Sequence, residues 1–142
     1  MKAMSYYDVA ENDRKYLEQD LEAGRVGNIL CANVQNCCEK YLKHMISEFY
    51  DPDDPALQNE KTQVLRTHSI RRLLKFIRSS MSIDIGKDEV DSILKADGYY
   101  FSARHPGDEY FETDEDDSER CREALQCCKK FTDRVIAEKS MI

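Results

Sequence analysis

A chain of 142 residues, 41% hydrophobic and 35% charged, has the size and apolar content for a single domain, residues 1–142, around one modest core. Its first residues carry no apolar leader, and no stretch approaches the roughly 18 apolar residues of a membrane span, so secreted and membrane classes are excluded and a cytoplasmic chain is expected. The formal net charge of −7 argues against nucleic acid until its distribution is read: residues 108–119 hold eight acids and no base, whereas residues 61–78 hold Lys61, Arg66, Arg71, Arg72, Lys75 and Arg78 and no acid.

Five glycines and three prolines among many Glu, Lys, Leu and Ala favour helices. Tyr7, Ala10, Leu17 and Leu21 recur at helical spacing and Gly24 with Gly27 stops the run, which predicts a first helix. From 28 to 50, Cys31, Val34, Cys38, Tyr41, Leu42, Met45 and Phe49 make a second, longer apolar stripe that Pro52 and Pro55 end. Residues 51–60, polar and with two prolines, read as a connecting loop. Thr67 then caps a third helix with Ile70, Leu73, Leu74, Ile77 and Met81 inward and the basic residues outward. A shorter helix from about Lys87 carries Val90, Ile93, Leu94 and Phe101, ended by a turn at Pro106-Gly107. A last helix begins near 116–118 among acids and a hydroxyl, with Cys121, Leu125, Cys128, Thr132 and Val135 buried. About five amphipathic helices with mostly short links predict an all-α, up-and-down bundle.

Six cysteines without a secretion signal read as reduced thiols packed as small apolar groups. The adjacent pairs Cys37-Cys38 and Cys127-Cys128 do not suit a zinc site, because neighbours on a helix point about 100° apart. No Gly-rich phosphate loop, Gly-x-Ser-x-Gly elbow or His-Glu-x-x-His helix is present, so neither metal nor cofactor is expected.

Three segments carry a family likeness. Gln35-Asn-Cys-Cys-Glu39-Lys40-Tyr-Leu42-Lys43 lies on the second helix, Thr67-His68-Ser-Ile70-Arg71-Arg72-Leu73-Leu74 opens the third, and Tyr99-Tyr100-Phe-Ser-Ala103-Arg104-His105-Pro106-Gly107 ends the fourth. In order, they resemble the Gln-x-x-x-Glu-Lys-x-Leu-Lys, Thr-His-x-Leu and Tyr-x-x-Ala-Arg-Tyr-Pro-Gly patterns of the HEPN family, known from prokaryotic toxin–antitoxin and nucleotidyltransferase-associated proteins. The resemblance implies a helical homodimer that binds nucleotide or RNA, or a nucleotidyltransferase-type partner. His105 stands where the family often has Tyr. Ribonuclease members of the family also carry an Arg four to six residues before a His, and His44, His68 and His105 all lack it. The expectation is a binding or regulatory module, with a metal-independent ribonuclease of atypical site and a structural self-association domain as alternatives.

The candidate contacts are Arg104, His68, His105, Lys43, Lys40, Arg71, Arg72 and Tyr100. A guanidinium at a rigid turn, Arg104, clamps phosphate with two donors or pairs with a carboxylate of another helix. At the start of a helix, His68 is either a neutral base or a residue bonded to a neighbouring helix. His105 adjoins Arg104 and contributes only if a second subunit approaches its turn. By spacing, Glu39 and Lys43 form an exposed ion pair; the resemblance instead puts Lys43 or Lys40 in one cleft with His68 and Arg104. For the face bearing Arg71 and Arg72, an RNA backbone, neutralisation by residues 108–119 and plain solvation all stay open. Tyr99 and Tyr100 stack on a base or, for at least one of them, pack in the core.

Overall fold

The computed structural model describes residues 3–99 and 112–141. The described residues form six helices and no strand, the all-α bundle expected. They are α1 (Tyr6–Glu22), α2 (Asn28–Phe49), α3 (Pro55–Val64), α4 (Ile70–Ser79), α5 (Lys87–Leu94) and α6 (Glu115–Ser140). The expected positions of Tyr100, Phe101, Arg104, His105 and the Pro106-Gly107 turn lie outside the described residues.

Local chemistry sets the helix ends. Ser5 and Asp8 form a reciprocal capping box at the start of α1, and Asp114 and Asp117 do the same for α6. At the other end of α1, Gly24 adopts a φ of +73°, a left-handed conformation that favours glycine and turns the chain toward α2.

The loop expected at 51–60 is overturned in its second half, because α3 begins at Pro55. Asp54 caps it by accepting from the Ala56 N–H at 2.8 Å, and Pro55 occupies the first helical position, where a missing N–H costs nothing. The cap of α4 also differs from expectation: Ser69 accepts from the Arg72 N–H, and Thr67 supports it by accepting from the Ser69 N–H.

The core lies between α1, α2, α4, α5 and α6. The cysteines behave as small apolar groups at the central seam: Cys31, Cys37, Cys38, Cys121 and Cys128 are fully buried free thiols. Cys37 faces α1, donating to the Ala10 carbonyl, while the Cys38 carbonyl accepts from Cys128 of α6, so the adjacent pair points two ways. Paired positions give the helix directions. Asn28 meets Thr113, Cys31 meets Cys121 and Cys38 meets Cys128, so α2 and α6 run the same way. Tyr7 meets Asp133 and Glu11 meets Lys129, so α1 runs against both. Tyr99 meets Asp117, Lys95 meets Glu123 and Glu89 meets Arg134, so α5 also opposes α6. Helices α3 to α5 therefore form the crossover between two parallel neighbours, and they bring the start of α4 onto the middle of α2.

Candidate functional site

Gln35, Glu39 and Lys43 stand four residues apart on α2, which stacks them along one face. The lead-in to α4 crosses that face. Glu39 is only 1% exposed, so the exposed ion pair expected from spacing is a buried polar cluster instead. Around its carboxylate lie His68 Nδ1 at 3.1 Å, Gln35 Nε2 at 3.2 Å and Lys43 Nζ at 3.6 Å. The Gln35 amide also donates to the His68 carbonyl at 2.7 Å, tying ring and backbone of one residue to α2. Burial depresses the Lys43 ammonium, and the nearby Glu39 carboxylate opposes that shift.

This arrangement fixes the chemistry of His68. A carboxylate beside Nδ1 selects the tautomer protonated there, so Nε2 is the acceptor nitrogen of the neutral ring. The backbone donors of the α4 N-terminus are already used. Asp97 accepts from the Ile70 N–H at 3.1 Å and the Arg71 N–H at 3.4 Å, and Ser69 takes Arg72. A carboxylate thus sits where the helix dipole would otherwise attract an anion.

Of the expected contacts, His68 and Lys43 are brought together through Glu39. Lys40 is not with them: it donates to Asn36 at 3.1 Å and lines a shallow groove with Met4, Tyr6 and Val9 on the α1 side of α2. Arg71 and Arg72 are exposed on α4. Tyr99 is buried and donates to Asp117 at 2.6 Å, which ties the segment after α5 to the start of α6. Gln35 and Asp97 hold the cluster and the α4 start together, yet neither stood among the expected contacts. The i, i+4 spacing of Gln35 and Glu39 was a visible signal; that α4 covers them was not.

The basic run has a distinctive electrostatic state. Arg66, Arg71, Arg72 and Lys75 are exposed, Lys61 donates to the Ser47 carbonyl and Arg78 to the Ile85 carbonyl. None of the six forms an ion pair with a described carboxylate, whereas Arg14, Arg25, Lys95, Arg122, Lys129 and Arg134 all do. The exposed acids Glu112, Asp114, Glu115, Asp116 and Glu119 gather at the start of α6, level with Asn28, while Phe76 of α4 stacks on Tyr50 beyond the far end of α2. The 22 residues of α2 put about 33 Å between those acids and the Phe76 end of α4, whereas Arg71 and Arg72 open α4 over the middle of α2.

Among the described residues, no group of three or more His, Cys, Asp or Glu side chains could hold a metal ion, and no helix is long and apolar enough to cross a membrane.

The fold and the α2–α4 junction define an all-α bundle in which three polar positions of one long helix receive the histidine that opens another. Residues 3–139 match the HEPN domain family, and the chain belongs to that family. Membership makes it a nucleotide- or RNA-related module in general terms. Comparison with curated proteins and with solved structures returns no match.

Proposed function

We propose that this chain is a HEPN binding or regulatory module, a single cytoplasmic domain acting as a homodimer, whose α3–α4 face engages RNA. One observation carries the reading: none of the six cations within residues 61–78 forms an ion pair with a described carboxylate, while Arg14, Lys43, Lys95, Lys129 and Arg134 elsewhere in the bundle do. A folded protein keeps such a field at a cost in self-repulsion, and phosphate binding turns the field into affinity through counterion release. Glu39 contributes by holding His68 at the edge of this face. A nucleotidyltransferase-type partner, as in toxin–antitoxin pairs, belongs to the same reading. Retention of labelled single-stranded RNA in the presence of chelator tests it, and absence of retention by a folded protein at low salt contradicts it.

The Glu39–His68 pair also supports a second reading, RNA cleavage without a metal, since a carboxylate-oriented imidazole is a common general base. Arg104, the cation expected to steady phosphate charge, lies outside the described residues. Cleavage that survives chelator and vanishes in His68→Ala favours this reading; intact RNA in every lane favours the first.

A further inference from the structure

Because α3 is a helix rather than a loop, it lies beside α4 and the two enclose an open groove of about 340 Å³. Its walls come from single faces of both helices: Gln63 and Val64 on α3, and Arg72, Lys75, Phe76 and Ser79 on α4. That volume falls within the roughly 300–1,000 Å³ typical of small-molecule sites. Tyr50 meets Phe76 edge to face with centroids 5.2 Å apart, which sets the plane of a half-buried ring in the groove wall. Arg72 and Lys75 are exposed, one turn apart, and neither forms an ion pair with a described carboxylate. A carboxylate does line the groove, Glu60 of α3, and its charge confines an anion to the α4 side.

We infer that this groove takes one nucleotide of a single-stranded RNA, its base against Phe76 and Val64 and its phosphate between Arg72 and Lys75. The inference rests on the RNA-binding reading of the α3–α4 face and names the form of RNA that the face selects. Two cations alone fit any polyanion, but two cations flanking a fixed aromatic ring over an apolar floor fit an anion that carries a flat ring. Stacking on a protein side chain requires a base splayed out of its own stack, which single strands supply and duplexes withhold. Gln63 offers both a donor and an acceptor at the rim, which suits a base edge without demanding one sequence.

Fluorescence anisotropy tests this with a labelled single-stranded octaribonucleotide, the same strand in a duplex, and polyglutamate as competitor. The variants are Ser79→Glu, which puts a carboxylate into the groove from an exposed position, Phe76→Leu, which keeps the apolar volume, and Arg71→Glu, on α4 but off the groove wall. We expect the single strand to bind more tightly than the duplex, Ser79→Glu and Phe76→Leu each to weaken it about 5-fold or more, and a 4-thiouridine strand to crosslink within residues 72–79. Circular dichroism melts establish that the variants are folded. If Arg71→Glu weakens binding while Ser79→Glu and Phe76→Leu do not, the groove is wrong and the RNA-binding reading stands. A duplex bound equally well, or polyglutamate competing as effectively as RNA, also overturns the groove. If the wild-type protein binds neither form of RNA, the underlying reading fails with it.

Discussion

The two sides of α2 handle charge in opposite ways. On the α1–α6 side a connected set of ionic groups is matched: Glu11 receives Arg14 at 3.1 Å, Tyr41 at 2.6 Å and Lys129 at 2.8 Å, while Asp133 takes Tyr7 and the other side of Lys129. Burial raises the Glu11 carboxyl, but hydrogen bonds from Arg14, Lys129 and Tyr41 outweigh it and hold the group down at about 2. The same bonds raise Arg14, chiefly through Glu11, and raise Lys129 against its own burial, chiefly through Asp133. On the α3–α4 side one carboxylate, Glu39, is buried under His68 and Lys43, and the exposed cations beyond it are left unmatched. Matched charges lock three helices together, whereas unmatched charges contribute little to folding and so point to a ligand.

The contrast breaks most visibly at Glu39. Glu39→Ala strands the Lys43 ammonium in a buried site and frees the α4 lead-in, and we expect a loss of about 3–5 kcal/mol in urea unfolding. A loss under about 1 kcal/mol would mean that the cluster is solvated and not a structural pin.

The matched side is tested by acid. Glu11 is lowered on folding, so its contribution is complete above the unfolded value near 4.5 and is lost as the pH falls toward about 2. The shift corresponds to on the order of 3 kcal/mol at neutral pH, and Lys129→Met should reduce the slope of stability against pH within that window.

His44 supplies a second slope at higher pH. Its ring lies between Tyr7 and Phe49, its Nδ1 is buried without a hydrogen-bond partner, and burial lowers its pKa against the pull of Glu48 and Asp8. The unfolded chain therefore gains a proton first as the pH falls below about 6.5, so stability declines there, and His44→Leu should flatten that part of the curve.

The smallest effect belongs to the basic face. Arg71→Gln and Lys75→Gln should change unfolding free energy by no more than about 0.5 kcal/mol, because both side chains are exposed and neither has an ionic partner among the described residues. A clear loss of stability in either would show that these cations serve the fold.

The helical stripes were legible because periodic apolar residues such as Cys31, Val34, Cys38 and Leu42 report burial directly. Helix α3 was not, since two prolines in ten residues read as breakers and only the Asp54-Pro55 pair marks a capped start. For the α4 cap, Thr67 and Ser69 are chemically equivalent, and only the backbone path decides between them. The family pattern named Glu39, Lys43 and His68 without saying that they touch, because contact between residues 29 positions apart depends on how α4 crosses α2. The surroundings of Arg71 and Arg72 were equally hidden, because which carboxylates the α4 surface meets depends on how α4 crosses α2.

The central claim is that the α3–α4 cations form an RNA surface, and salt dependence reads it most directly. The affinity for single-stranded RNA is measured from low to physiological salt for the wild type, for Arg72→Gln/Lys75→Gln, and for Arg122→Gln on α6. The account predicts that the double variant lowers the slope of log affinity against log salt by about 0.7, the share of the one phosphate held between the two side chains, while Arg122→Gln leaves it unchanged. An unaltered slope in the double variant, or an equal fall in Arg122→Gln, would contradict it.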